Sequence, residues 1–201
     1  MKKTLLLFTT YLCLGVSAIF AQNVNIPDAN FKTYLVNNTG INTDSDSEIS
    51  VAEAQAFTGT ISAPGLGISD LTGIEAFVNI TILEVYANNL TSLDVSNNTS
   101  LTRLHCAENQ ITTLDVSNIP TLEQVHCQDN QLVELNLANG NNANFVYMKS
   151  YDNPNLACIQ HDAGFTPSFT NALMQFSGIP HKPKPPTITV MSLLKPASAS
   201  S

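Results

Sequence analysis

The chain has 201 residues and carries 16 acidic against 8 basic side chains, so its formal net charge is −8 at neutral pH. This balance excludes the basic surface that nucleic-acid binding requires. It also disfavours a membrane surface of anionic lipid as the partner.

Residues 1–21 are typical of an export signal. Lys2 and Lys3 supply the positive start, an apolar run follows, and Ala18 or Ala21 offers a cleavage site. The run is too short for a spanning helix, which needs about 20 residues, and no later run is long enough either. We therefore expect a secreted or cell-surface protein whose mature chain has no transmembrane segment.

Residues 22–60 predict a small cap with a helix-loop-helix arrangement. Pro27 suits a first helical turn, and a second helix is expected from Val51 to Phe57. The first helix has an apolar stripe at helical spacing, formed by Ala29, Phe31, Tyr34 and Leu35.

The loop between these helices carries oxygen-bearing residues in the register of an EF-hand. The candidate calcium ligands are Asn42, Asp44, Asp46, Glu48 through its carbonyl, and Glu53 as the bidentate residue. Ser47 stands where a glycine usually forms the sharp turn, which costs roughly 1 kcal/mol. The loop therefore predicts either a weak calcium site or a solvated acidic turn.

In the middle of the chain one pattern recurs every 21 residues. Its first half reads Leu/Ile-x-x-Leu/Val-x-Val/Cys-x-x-Asn-x-Leu/Ile and places Leu83, Leu104 and Val125 in register. Its second half, Leu-Asp-Val-Ser-Asn, occurs at 93–97 and 114–118. This period and consensus are typical of leucine-rich repeats.

Each repeat offers a short strand whose alternate side chains point inward, and neighbouring strands pair in parallel at roughly 4.8 Å. We expect an α/β-solenoid of about four to five coils over residues 61–159. Asn88, Asn109 and Asn130 should stack where the strands end and satisfy the backbone of the turns. The Leu-Asp-Val-Ser segments should form a second, shorter ladder or turns on the opposite side.

Beyond the repeats, residues 160–178 are expected to cover the open end of the solenoid, with a short helix from Phe165 to Phe176. The proline-rich composition predicts a flexible tail over 179–201. Cys106 and Cys127 occupy adjacent inward positions, where a free buried pair is favoured over a disulfide.

The segments NVNIPDANFKTYLVNN, GLGISDLTGIEAF and LTSLDVSNNTSLTRLHCAENQITTLDVSN resemble the secreted leucine-rich repeat proteins of Bacteroidetes-type bacteria. Residues 24–160 are also similar, more distantly, to the helical cap and repeats of internalins. The resemblance implies an exported bacterial protein that binds a partner with its repeat face. Proteins of this kind often end in a C-terminal sorting domain, and Gly164–Ser201 departs from that pattern.

Side chains that alternate with the inward ones should line the concave face of the solenoid. These positions carry Tyr and Arg, which are common at binding hot spots, together with two His. The expected partner-binding residues are Glu84, Tyr86, Arg103, His105, Glu108, Gln124, His126, Asp129, Tyr147, Lys149 and Tyr151.

Glu84, His105 and His126 stand in one row of this face, which permits two interpretations. One is a transition-metal site, and the other, which we favour, is a pair of exposed histidines on a polar ligand face. The same pair would make the face sensitive to pH.

The sequence contains no recognisable nucleophile–base motif, and a regular solenoid face lacks the enclosed pocket that catalysis usually needs. It therefore predicts a monomeric, non-catalytic module that binds an unknown protein, peptide or glycan. The alternative is a structural spacer, or a fragment of a larger surface protein, with no ligand of its own.

Overall fold

The computed structural model describes residues 22–163 and 165, together with the backbone of 174–175 and 189–192. The predicted export signal, residues 1–21, lies outside this part. Two helices come first, α1 (Ala29–Val36) and α2 (Val51–Ala56). In the part of the chain that the structure describes, no helix has the length and apolar character needed to cross a membrane.

The strands that follow are short. They are β1 (Thr60–Ser62), β2 (Ile82–Glu84), β3 (Arg103–His105), β4 (Thr113–Asp115), β5 (Gln124–His126), β6 (Glu134–Asn136), β7 (Tyr147–Lys149), β8 (Cys158–His161), β9 (Met174–Gln175) and β10 (Thr189–Ser192). Single 3-10 turns lie at Ile74–Ala76 and Asn142–Asn144.

These strands form two parallel sheets, of which the second begins only at β4. The six-stranded sheet has the order β1-β2-β3-β5-β7-β9, and the four-stranded sheet has the order β4-β6-β8-β10. The strands β4 and β6 fall on the second half of the repeat, which confirms the predicted second ladder. The molecule is the predicted leucine-rich repeat solenoid, with about five coils.

The inward positions of the repeat form the core. Leu83, Leu104 and Val125 pair in register and are fully buried, and Met148 continues the row at 1% exposure. Because side chains alternate along a strand, the residues on either side of each must face solvent on the six-stranded sheet. The repeat spacing thus fixes which side chains reach the surface.

The asparagine ladder confirms the structural role predicted for it. The Asn109 side-chain oxygen accepts a hydrogen bond from the Leu90 amide at 3.0 Å, and its amide donates to the carbonyl of Val85 at 3.0 Å, in the preceding coil. The same amide also donates to Cys106 and Ala107 in its own coil. Asparagine is required here because it offers donors and an acceptor on one short side chain.

The N-terminal helices share the core of the solenoid. Phe31 and Leu35 of α1 are fully buried within the same apolar cluster as Ile61 of β1. The Tyr34 hydroxyl accepts a hydrogen bond from the Ser62 amide at 2.9 Å, which occupies a main-chain donor on the edge strand. At Gly73 (φ 105°), an added Cβ would come within 2.9 Å of the Asn25 carbonyl, so only glycine permits this close approach.

The C-terminal segment differs from expectation. Residues 174–175, predicted as helix, form β9 and pair with β7, so the helix prediction is wrong there. Residues 189–192, within the tail predicted to be flexible, form β10 and pair with β8. The physical reason is that the last coil leaves unpaired main-chain groups at the edge of each sheet, and a strand satisfies them directly. The rest of segments 160–178 and 179–201 lies largely outside the described residues.

Candidate binding face and acidic loop

The predicted binding residues lie on the solvent side of the six-stranded sheet and in the turns that follow its strands. We call this surface the sheet face. The register places Glu84, His105, His126 and Lys149 in one row. Arg103, Gln124 and Tyr147 form the neighbouring row. Glu108, Asp129 and the two tyrosines Tyr86 and Tyr151 lie just beyond the strand ends.

Four rings from consecutive coils contact one another across the sheet face. The centroid distances are 4.4 Å from Tyr86 to His105, 4.7 Å from His105 to His126, and 4.9 Å from His126 to Tyr147. We call these four side chains the ring stack. Lys149 covers its end, with Nζ 5.2 Å from the Tyr147 centroid.

The ring stack crosses the rows diagonally, which row-by-row analysis of the sequence did not predict. Tyr86 lies two residues beyond the histidine row, and Tyr147 lies two residues before it. Contacts along a sheet diagonal are within reach of aromatic side chains. The signal in the sequence was the presence of four ring residues in four consecutive coils.

An ion pair borders the ring stack. Arg103 Nη2 lies 3.0 Å from Glu84 Oε1, and the Ser62 hydroxyl donates to the other Glu84 oxygen at 2.8 Å. Both carboxylate oxygens of Glu84 are therefore engaged. Among the described residues, no group of three or more His, Cys, Asp and Glu side chains is placed to hold a metal ion. Glu84 is thus committed to Arg103 and Ser62 rather than to the two histidines of its row.

The two histidines of the stack are held in the neutral form. Burial lowers the pKa of His126 to about 4, and the neighbouring His105, Lys149 and Arg103 act in the same direction. Burial also lowers the pKa of His105, although the Glu84 carboxylate opposes that effect. At neutral pH the centre of the sheet face therefore carries uncharged imidazoles.

An acidic edge runs beside the ring stack. Glu108, Asp129 and Asp152 occupy the same position in consecutive coils, each with a left-handed backbone (φ 54°, 56° and 52°). We call these three residues the acidic ridge. Burial and the carboxylates of Asp152 and Glu108 raise the pKa of Asp129. The ridge concentrates negative charge at one side of the sheet face.

Several polar atoms of the sheet face lack a hydrogen-bond partner. Among the described residues, the buried side-chain atoms without one include Arg103 Nε, His126 Nε2 and Gln128 Oε1. Gln128 is 7% exposed and was not among the predicted binding residues. Because buried polar groups are normally paired, each of these atoms needs a partner that the described residues do not supply.

The acidic loop is closed by Glu53 rather than open toward a central ion. One Glu53 oxygen accepts from the Thr43 amide at 2.7 Å and the Thr43 hydroxyl at 3.0 Å, and the other accepts from the Ser50 amide at 2.9 Å. Ser50 in turn caps α2 through the Glu53 amide at 3.2 Å. Burial alone would raise the pKa of Glu53, but these hydrogen bonds lower it to about 2.

The other predicted calcium ligands are only partly engaged within the protein. Asp44 accepts from the Asp46 amide at 3.2 Å and Asp46 accepts from the Glu48 amide at 2.6 Å, each through one carboxylate oxygen. The Glu48 side chain pairs with Lys32 at 2.6 Å, while its predicted ligand atom is the carbonyl oxygen. The Asn42 amide donates to two carbonyls, and its oxygen is buried without a partner. As arranged, the loop does not fit a preformed calcium site, and calcium binding there stays a prediction.

Sequence reasoning missed two structural roles near this loop. The Ser50-x-x-Glu53 spacing is a capping box, and both of its reciprocal hydrogen bonds are formed. Asp28 was not singled out, although it caps α1 and also bonds to Ser69 in the first coil. The first role was readable from the spacing, while the second joins residues with no periodic relation.

The cysteines take no part in the sheet face. Cys106 and Cys127 are buried and free, as predicted, and burial raises the pKa of the Cys106 thiol to about 12. The Cys127 thiol donates to the Lys149 carbonyl at 3.3 Å. Cys158 is free and half-buried. Thiols so deeply buried and so weakly acidic are poor nucleophiles.

Comparison with known proteins supports the fold. Neither a family model nor a curated protein sequence matches the chain. An internalin (inlF) from Listeria monocytogenes str. 4b F2365 aligns at a TM-score of 0.51 and 19% identity, over 72% of this chain and 53% of that chain. The functional domain of InlJ from Listeria monocytogenes, described as including a cysteine ladder, aligns at 0.49 and 23% identity, over 81% of this chain and 40% of that chain. The chain thus spans about half the length of the first internalin.

Proposed function

We propose that the protein is a secreted or cell-surface binding module that recognises a protein, peptide or glycan through the sheet face. The observation that carries the proposal is the ring stack, in which Tyr86, His105, His126 and Tyr147 contact one another in sequence, three of them on strands and Tyr86 just beyond the end of one. Rigid aromatic side chains give a large contact area at small cost in conformational entropy. The unpaired polar atoms of Arg103, His126 and Gln128 support the same role.

The proposed module is not catalytic. The buried thiols face the core, and the two histidines lie against other rings and the Glu84–Arg103 pair rather than beside a nucleophile. Each strand of the six-stranded sheet repeats the geometry of its neighbour, so the surface forms a row of equivalent positions. Such a surface suits recognition of an extended partner better than enclosure of a small substrate.

Secretion and calcium binding belong to the same proposal but rest on the sequence. The N-terminal 21 residues carry the pattern of an export signal. Asp44 and Asp46 each keep one carboxylate oxygen outside their main-chain hydrogen bonds. Glu53 accepts through both oxygens, so calcium would require it to leave the Thr43 and Ser50 donors. Giving up these hydrogen bonds weakens binding, which is consistent with an affinity of about 10⁻⁴–10⁻³ M.

The test compares a face variant with a matched control on peptide and glycan arrays. The face variant is Tyr86→Ala, Arg103→Ala and His126→Ala, and the control is Thr113→Ala, Glu134→Ala and Gln160→Ala on the four-stranded sheet. Both sets lie outside the core, so both variants should keep the fold. We expect the face variant alone to lose the ligands that the wild type binds.

Two results would count against the proposal. Equal binding by wild type and face variant would place recognition elsewhere on the molecule. If the wild type binds nothing on the peptide array and nothing on the glycan array, the alternative of a structural spacer is favoured. Thermal unfolding of each variant separates loss of contact from loss of fold.

A further inference from the structure

The acidic ridge is an unusual arrangement of like charges. Glu108, Asp129 and Asp152 are exposed and stand one strand apart along the solenoid, where parallel strands lie roughly 4.8 Å from one another. Like charges at this separation repel, and burial together with the carboxylates of Asp152 and Glu108 raises the pKa of Asp129. The protein as a whole also carries a net negative charge, so the rest of its surface supplies few positive charges to compensate the ridge.

Backbone conformation does not account for these charges. The ridge positions adopt left-handed φ values, which Asp and Asn tolerate better than most residues. Asn would provide the same tolerance without charge, and Glu108 has no such preference. In the preceding coil Ala87 adopts the same conformation at φ 56°. The left-handed backbone conformation therefore does not explain why these positions carry carboxylates.

The ridge has no cation of its own in the described part of the chain. The ion pairs there are Lys32–Glu48, beside the acidic loop, and Arg103–Glu84, beside the ring stack. Lys149, the other cation of the sheet face, lies over the Tyr147 ring. The three carboxylates are thus left to solvent or to a partner.

Gln128 supplies independent evidence for a ligand at this edge. It directly precedes Asp129 and is 7% exposed. The alternation of β5, continued past His126, assigns Gln128 to the side of the sheet face. Its side-chain oxygen is buried and has no donor. An unpaired acceptor beside a row of carboxylates favours a ligand rich in N–H donors.

We propose that the acidic ridge and Gln128 receive an extended, basic polypeptide segment whose Lys or Arg side chains lie along Glu108, Asp129 and Asp152. Half-buried Tyr151, which stands apart from the ring stack, and Tyr86 at the end of the stack lie in the Gln128 row and can contact the aliphatic stems or cationic groups of such side chains. This inference rests on the proposed function and names the partner class for the same sheet face.

A basic polypeptide fits better than a neutral glycan, which could not compensate three carboxylates. The repeat also presents its acceptors in a line, and an extended polypeptide places alternate side chains on one side. Exposed ion pairs each contribute little, so the line of three matters more than any one of them. Binding should accordingly weaken as salt increases.

The experiment measures fluorescence anisotropy of a labelled peptide in which Lys alternates with Ser, against a matched peptide with Glu in place of Lys. The ridge variant is Glu108→Gln, Asp129→Asn and Asp152→Asn, which keeps size and backbone preference. The control, Asp94→Asn, Asp115→Asn and Glu134→Gln, removes the same charge from exposed positions elsewhere. We expect the Lys peptide to bind the ridge variant about tenfold more weakly than the control or the wild type.

Several outcomes would overturn the inference. The inference is wrong if the Lys peptide does not bind, or if its binding weakens equally in the ridge variant and the control. It is also wrong if the protein prefers the Glu peptide or a neutral glycan. If a glycan or acidic peptide binds and only the Tyr86, Arg103 and His126 variant loses it, the proposed function stands and the basic partner is wrong. If no variant of the sheet face changes any binding, both are wrong. Thermal unfolding confirms that each variant is folded.

Discussion

The Asp28 carboxylate accepts hydrogen bonds from Ser69, which lies 41 residues later in the sequence, and it also caps helix α1. One carboxylate oxygen accepts from the Asn30 and Phe31 amides at 2.9 and 3.0 Å, and the other accepts from the Ser69 amide and hydroxyl at 2.9 and 3.0 Å. A single side chain thus joins the N-terminal helices to the first coil. The two regions should therefore unfold together.

Substitution of Asp28 tests this connection. Asp28→Ala removes the helix cap and the bonds to Ser69, and should lower the free energy of unfolding by about 1–3 kcal/mol. Asp28→Ser keeps a capping oxygen but offers no second one, so its loss should be intermediate. Urea denaturation measures both. A serine variant as stable as the wild type would show that the bond to Ser69 adds nothing.

The asparagine ladder allows a sharper prediction. Asn109→Ala leaves the buried Leu90 amide and several carbonyls without their partner, so the free energy of unfolding should fall by about 3 kcal/mol. Asn118→Ala, at an exposed position without a side-chain hydrogen bond, should stay within about 0.5 kcal/mol of the wild type. Chemical denaturation of the two variants provides the comparison. Equal stabilities would contradict the structural role of the ladder.

These two contacts show what the sequence could and could not predict. Asn109 was predictable because its position recurs every 21 residues, and a repeated residue implies a repeated environment. The Asp28–Ser69 bond joins two segments that repeat nothing, so no period reveals it. The rows of the sheet face were predictable from strand alternation. The ring stack was not, because it depends on the side-chain conformations that bring each ring toward the neighbouring row.

Acid should destabilise the protein through His126. Its pKa of about 4 in the folded protein lies below the ordinary 6.5, so the unfolded chain takes up a proton first as the pH falls. The contribution of His126 to the free energy of unfolding should therefore decrease between about pH 6.5 and pH 4 and stay constant below that. His105 contributes in the same direction, with Glu84 opposing.

The measurement is urea denaturation at several pH values between 6.5 and 4.5. This window lies above the one for Glu53, whose stabilisation is present above about pH 4.5 and is lost as the pH falls toward 2. His126→Gln should flatten the dependence, and His105→Gln with His126→Gln should flatten it further. An unchanged slope in the double variant would rule out these histidines as its source.

The acidic loop yields a prediction that separates two roles of Glu53. Because Glu53 accepts hydrogen bonds from Thr43 and Ser50, Glu53→Gln should lower the free energy of unfolding by about 1–3 kcal/mol even in chelator. Thermal unfolding with millimolar calcium and with chelator tests the metal. A calcium-dependent rise in Tm that the variant lacks would support the calcium proposal. No shift and no heat of binding in calorimetry would refute it.

The loop also explains why sequence patterns can be ambiguous. Glu53 suits the twelfth position of a calcium loop and the third position of a capped helix equally well, because both require a carboxylate that reaches backward. The spacing from Ser50 favours the cap, and the spacing from Asn42 favours the metal. Only the three-dimensional arrangement shows that the carboxylate already has donors.

The asparagine bonds also make the solenoid divisible into interchangeable units. Asn130 donates to the Cys106 carbonyl one coil back, and Asn153 donates to the Cys127 carbonyl in the same way, each at 3.0 Å. A chain lacking residues 110–130 would bring Asn153 against Cys106 with the same chemistry. The length of the sheet face is then set by the number of coils. Duplication or loss of one coil changes the length of partner that the face spans, while the asparagine hydrogen bonds between coils stay the same.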